Sequence, residues 1–94
     1  MDHIPSVELL EATHQFPGSY KFKVIGHAQD EFVERVVACV RDALLLDADP
    51  PYGTRHTTGG SKVSVTLEPT VVDAAQVQAI YRRIGELAGL IVLW

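Results

Sequence analysis

The chain has 94 residues, 47% hydrophobic and 21% charged. This suits one hydrophobic core and excludes a second domain, since single cores form at about 50 to 200 residues. Twelve acidic against eight basic residues give a net charge of −4, without the basic footprint that draws proteins to nucleic acid or anionic lipid.

The single cysteine, Cys39, excludes an internal disulfide and a cysteine-rich metal framework, and fits a reducing compartment. The opening Met-Asp-His-Ile-Pro carries no basic leader. The longest apolar run, Leu87 to Trp94, falls far short of the roughly 20 residues of a membrane span. A soluble, cytoplasmic protein is expected.

In chain order, residues 1–15 form an N-terminal arm with a short helical candidate, Ser6 to Thr13, expected to dock loosely. Phe16-Pro17-Gly18 separates the arm from the domain proper, residues 16–94. A strand follows over Ser19 to Gly26, where Tyr20, Phe22 and Val24 alternate with Lys21, Lys23 and Ile25 in the period-2 pattern of a half-buried strand.

From Asp30 to Leu45 the period becomes helical. Phe32, Val33, Val36, Cys39, Val40, Ala43 and Leu44 make one apolar stripe, opposed by Glu31, Glu34, Arg35, Arg41 and Asp42. Asp30 is the expected N-cap, its carboxylate suited to a free backbone N–H and to the helix dipole. Asp47 through Pro50-Pro51 ends this helix.

Tyr52 to Thr57 reads as a weaker strand, Thr58-Gly59-Gly60-Ser61 as a hairpin turn, and Lys62 to Glu68 as a clear strand stopped by Pro69. Asp73 and Gln76 form a capping-box variant before a second stripe of Val77, Ile80, Tyr81, Ile84, Leu87 and Ala88. Gly89 is placed as the C′ residue, and Leu90 to Trp94 as a final strand.

Strand, helix, strand, strand, helix, strand, with one apolar stripe per helix, specifies an α+β ferredoxin-like two-layer sandwich. Right-handed crossovers then give an antiparallel sheet of order 4-1-3-2, with both helices on one face.

The stretch Phe16-Pro17-Gly18-Ser19-Tyr20-Lys21-Phe22-Lys23-Val24-Ile25-Gly26 carries a family resemblance. So do the Phe32-Val33 and Val36-Val37 pattern, Gly60 with Ser64-Val65-Thr66, and Gln76-Val77-x-Ala79-Ile80-Tyr81. Together they resemble the YbeD-like group of small bacterial proteins, over nearly the whole chain from Phe16. The resemblance implies a ferredoxin-like fold related to ACT-type regulatory domains, which bind small effectors and pair edge to edge. The hairpin departs from it: His56-Thr57-Thr58-Gly59-Gly60-Ser61-Lys62 stands where relatives read like Pro-Ser-Ser-Lys-Gly-x-Tyr.

Chemical motifs are sparse. An acylphosphatase-type loop after the first strand needs an arginine, and Ile25-Gly26-His27-Ala28-Gln29-Asp30 has none. Strand Lys62 to Glu68 carries no aromatic to stack an RNA base, so no nucleic acid is expected. Cys39 falls in the helical core stripe and reads as an inert thiol. His3, His14, His27 and His56 lack metal-ligand spacing, and neither a metal nor a cofactor is expected. Gly26, His27 and Asp30, at the head of the first main helix, are the candidate ligand-binding residues.

The final strand breaks the alternation an edge strand should show. Ile25, Leu90, Ile91, Val92, Leu93 and Trp94 are therefore the candidate interface, covered by a second copy, a protein partner or the N-terminal arm. A non-enzymatic regulatory or adaptor domain is expected, with a small effector near Gly26 and self-association at a sheet edge. The alternatives are a pure protein-interaction module and, more remotely, an acyl or phosphoryl hydrolase using His27 and Asp30.

Overall fold

The computed structural model describes residues 4–94; His3, one of the four histidines considered above, lies outside them. The elements are α1 (Val7–Thr13), β1 (Gly18–Ser19), β2 (Phe22–His27), α2 (Phe32–Ala43), β3 (Tyr52–His56), β4 (Lys62–Leu67), β5 (Thr70–Val71), α3 (Ala74–Gly85) and β6 (Leu90–Leu93). The main sheet is antiparallel with order β3-β4-β2-β6, the order expected from the sequence. The fold is a ferredoxin-like α+β sandwich.

The core lies between this sheet and α2 and α3. Phe22 and Val24 of β2 and Val63, Val65 and Leu67 of β4 face Phe32, Val36 and Val40 of α2 and Val77, Ile80 and Ile84 of α3. Each such side chain contributes about 1.5–3 kcal/mol by leaving water, so a single stripe per helix suffices to hold both on one face. Asp73 caps α3 as expected, its carboxylate accepting from the Gln76 N–H at 2.9 Å while the Gln76 side chain accepts from the Val72 N–H at 2.8 Å.

The structure corrects the sequence reading in several places. The single expected strand Ser19–Gly26 is two strands. β1 pairs with β5 (Ser19 with Thr70) and β2 with β4 (Phe22 with Leu67), both ladders in one continuous register. At the break the Tyr20 N–H donates to the Pro69 carbonyl at 3.0 Å. Pro69 has no N–H to return, and the ladder is interrupted there.

The helix expected from Asp30 begins at Phe32. Asp30 and Glu31 sit at φ 55° and 57°, in the left-handed region, so Asp30 is neither helical nor the N-cap. Glu31 takes the cap position without a side-chain bond. At the other end Leu45 (φ 55°) turns the chain out of α2.

α3 closes at Gly85, ahead of Leu87 and Ala88, through bonds from the Glu86 N–H to Arg83 and from the Leu87 N–H to Ile84. Gly89 does adopt positive φ, 91°, but in the turn into β6 and not as the helix C′ residue.

The arm is more than a loose appendage. Ser6 caps α1 through the Leu9 N–H, Gln78 donates to the Pro5 carbonyl, and Leu10 is buried in the main core. α1 packs on α3, and among the described residues none buries Ile91 and Val92 of β6, which stay exposed.

Candidate interaction surfaces

Gly26 faces inward at the end of β2, and the Phe32 ring lies against it. A Cβ on Gly26 would overlap three carbons of that ring. The glycine is there so that the first residue of α2 can seat on the strand. His27 points the other way, to the open face of the sheet, paired with Lys62. Its N–H donates to the Gly89 carbonyl at 2.9 Å.

Asp30 is exposed on the loop, where its backbone carbonyl accepts from Arg35 Nε at 2.8 Å. A second donor of Arg35, Nη1, reaches the Ala88 carbonyl at 2.9 Å and ties this loop to the turn before β6. Gly26, His27 and Asp30 are near in sequence but point to an internal contact, the open sheet face and solvent respectively. They do not line one cleft.

A cleft does open beside them, on the helix side of the sheet. It holds about 390 Å³ between the loop entering α2 and strand β3, with Gln29, Glu31 and Glu34 on one wall and Tyr52, Thr54 and His56 on the other. It exists because α2 lies over β4 and stops short of β3, all five of whose residues are exposed. The sequence reading missed Tyr52 and Thr54. The signal was present in the polar character of the inward positions of that strand, which marks a face no helix covers.

The remaining reactive side chains are structural. Cys39 packs against the core from α2, and burial pushes its thiol pKa up, with Arg83 pulling it down less strongly. That is the opposite of an activated nucleophile. Tyr81 and Tyr20 share a buried hydrogen bond of 3.1 Å. Burial first, and that bond second, hold the Tyr81 hydroxyl protonated well above the ordinary tyrosine range. Among the described residues no three His, Cys, Asp or Glu side chains converge as metal ligands, and no helix is long and apolar enough to cross a membrane.

The final strand resolves into two sets. Leu93 is buried and Leu90 partly so, both packed with the core, a correction to the expectation that their side chains belong to the interface. Ile91, Val92 and Trp94 are 40%, 42% and 51% exposed. They join half-buried Ile25, the register partner of Val92 on the open face.

A bulge sets which residues of the run face outward. Ile25 pairs with Val92 but Gly26 with Leu90, so Ile91 is an extra residue. Lys23 and Trp94 exchange backbone bonds of 2.8 and 2.9 Å, which turns the Leu93 N–H and C=O to the outer edge of the sheet.

Residues 11–93 match the family model described as "Protein of unknown function (DUF493)". The chain belongs to the DUF493/UPF0250 family. A UPF0250 protein of Shewanella piezotolerans is 37% identical over 76 residues, 81% of this chain and 84% of its own length. One from Vibrio cholerae is 32% identical over 87 residues, 93% and 92% of the two chains. The DUF493 match begins within the arm and runs through β6, so it spans the cleft and the uncovered margin.

Proposed function

We propose that the chain is a non-catalytic regulatory or adaptor module, acting in the cytoplasm, that self-associates along β6. The observation that carries this reading is the contrast between the two edges of the sheet. Edge strands are normally protected by charge, and β3 carries Arg55 with His56. β6 has no charged residue at all, and Ile91, Val92 and the following Trp94 are exposed beside the backbone groups of Leu93, which are turned outward and unpaired among the described residues.

A neutral edge meets a second copy of itself without like-charge repulsion. Two β6 strands, antiparallel about a two-fold axis at Val92, would give the outward N–H and C=O of Leu93 a partner in Ile91 of the other copy. The bulge confines such pairing to a short segment, so the association is reversible and concentration-dependent. Edge pairing of this kind is what the resemblance to the YbeD-like group implies, through the kinship with ACT-type modules that the resemblance carries. The separation of His27 from Asp30 counts against the hydrolase alternative.

Sedimentation velocity of the full chain over a concentration series tests the proposal. The native protein is expected to shift from monomer towards dimer, and Ile91→Lys, which supplies the missing edge charge, to remain monomeric. A native chain that sediments as a monomer throughout overturns it.

A second reading is favoured by the cleft at β3. Its volume falls in the range of small-ligand sites, about 300–1,000 Å³. Glu31 and Glu34 across the cleft from the rings of Tyr52 and His56 suit an amine-bearing effector. A ligand at 100 times its Kd contributes about 2.7 kcal/mol to apparent stability. Thermal-shift screening of amines and amino acids should therefore give a raised melting temperature that Glu34→Gln removes; silence across the panel removes this reading and leaves the first.

A further inference from the structure

The charges of this protein are segregated. None of its 12 acidic residues lies in β2, β3, β4 or β6, while Lys23, Arg55 and Lys62 all do. Register places these cations on the open face, in rows that cross the sheet. Arg55, Ser64, Ile25 and Val92 make one row, and Gly53, Thr66, Lys23 and Trp94 the next; Lys62 stands opposite His27 in a third. Among the described residues the only ion pairs are those of Arg41, on α2, so the cations of this face are not engaged in ion pairs; the one carboxylate at its border is Glu68, beside Gly53 and Thr66 just past the end of β4.

The face is also divided by polarity. Along β6 and β2 it is apolar, with Ile25, Val92 and Trp94. Across β4 and β3 it sinks into a shallow groove of about 370 Å³, with Ser64 and Thr66 in its lining and Lys23 and Arg55 at its sides. Gly53 opens that groove, since no atom lies within 4 Å of where its Cβ would be. Lys23 stands at the boundary, its Nζ 5.4 Å from the centre of the Trp94 ring.

We propose that the open face of the sheet docks an acidic amphipathic helix of a partner protein, as a third layer on the sandwich. A sheet face offers side chains and no free backbone groups, so the fitting occupant is an element that brings a side-chain stripe. A helix of about 10–12 Å diameter spans two to three strand spacings of about 4.8 Å. Its apolar stripe would lie on Ile25, Val92 and Trp94, and its flanking carboxylates would reach Lys23, Arg55 and Lys62. Nucleic acid fits less well, because among the described residues this face offers Trp94 and His27 at separate rows and no Phe or Tyr to stack bases on, and the net charge of −4 repels a polyphosphate. The proposal is independent of pairing at β6, which uses the strand edge and leaves the face open.

The test uses the isotope-labelled full chain and three probes. One is a helical peptide of roughly 18 residues, long enough to hold helix alone, with Leu at i, i+3, i+4 and i+7 and Glu on both flanks. The second replaces each Glu by Lys, and the third is a single-stranded oligonucleotide.

The acidic peptide is expected to shift the amide resonances of Lys23, Ile25, Ser64, Thr66 and Val92. Lys23→Glu and Arg55→Glu, both at exposed positions, should each weaken it about tenfold with unchanged resonances in the core. The basic peptide should leave the face unperturbed. Equal binding of the two peptides, shifts confined to other surfaces, or a response of this face to the oligonucleotide alone would each overturn the proposal.

Discussion

The Phe32 ring occupies the space that a side chain on Gly26 would need. This one contact locks the start of α2 onto the end of β2, and it explains the glycine by packing rather than by ligand approach. Gly26→Ala is therefore expected to lower stability by about 1–3 kcal/mol, the usual cost of overfilling a core. The loss in Gly26→Ala/Phe32→Leu should be smaller than the sum of the two single losses, because the residues are in contact. Urea denaturation of the four proteins checks this; strictly additive losses would mean that the contact does not constrain the glycine.

Leu10 and Leu9 are adjacent on α1 and differ in environment, one buried in the core and the other 54% exposed. Leu10→Ala should cost about 2–5 kcal/mol, as large-to-small changes in cores do. Leu9→Ala should stay within about 0.5 kcal/mol of the parent. Equal, small effects would show that the arm contributes nothing to the folded domain.

Tyr81 should make the protein sensitive to alkali. Its hydroxyl titrates above the ordinary tyrosine pKa of 10 in the folded chain, so the folded state keeps a proton that the unfolded chain has lost. The associated stability is complete below about pH 10 and falls as pH rises from there towards the folded pKa. Tyr81→Phe removes that slope. It also leaves the buried Tyr20 hydroxyl without its partner, at a cost of about 1–3 kcal/mol near neutral pH. Denaturation midpoints across an alkaline series, with tyrosinate absorbance followed in parallel, read both effects.

The sheet was legible because Phe22, Val24, Val63, Val65 and Leu67 alternate with polar residues. The helices were legible because each has a single stripe. Asp73 and Gln76 announced their cap directly.

What the sequence hid depended on backbone geometry or on distant partners. Nothing local distinguishes Asp30 as an N-cap from Asp30 in the left-handed region; the position is set by where the Phe32 ring must seat on Gly26. Pro69 has the local character of a strand stop, but its missing donor only interrupts a ladder that resumes between β1 and β5. The burial of Leu10 depends on α3 and the main core, far along the chain. The anomaly of β6 was visible as a run of apolar residues, yet which of them face outward follows from the bulge at Ile91, which no periodicity reveals. The cleft at β3 arises from the lateral offset of α2 over the sheet, a tertiary quantity with no sequence period.

In the proposed self-association two chains join along β6 about an axis at Val92. Cysteine cross-linking tests it most directly: Val92→Cys in a Cys39→Ala background, compared with Thr54→Cys on the opposite edge in the same background. Antiparallel pairing at Val92 sets the two Cα atoms about 4.5 Å apart, within disulfide reach. Rapid formation of a covalent dimer on mild oxidation is expected for Val92→Cys and not for Thr54→Cys. Dimers from Thr54→Cys alone, or from neither protein, would contradict the account.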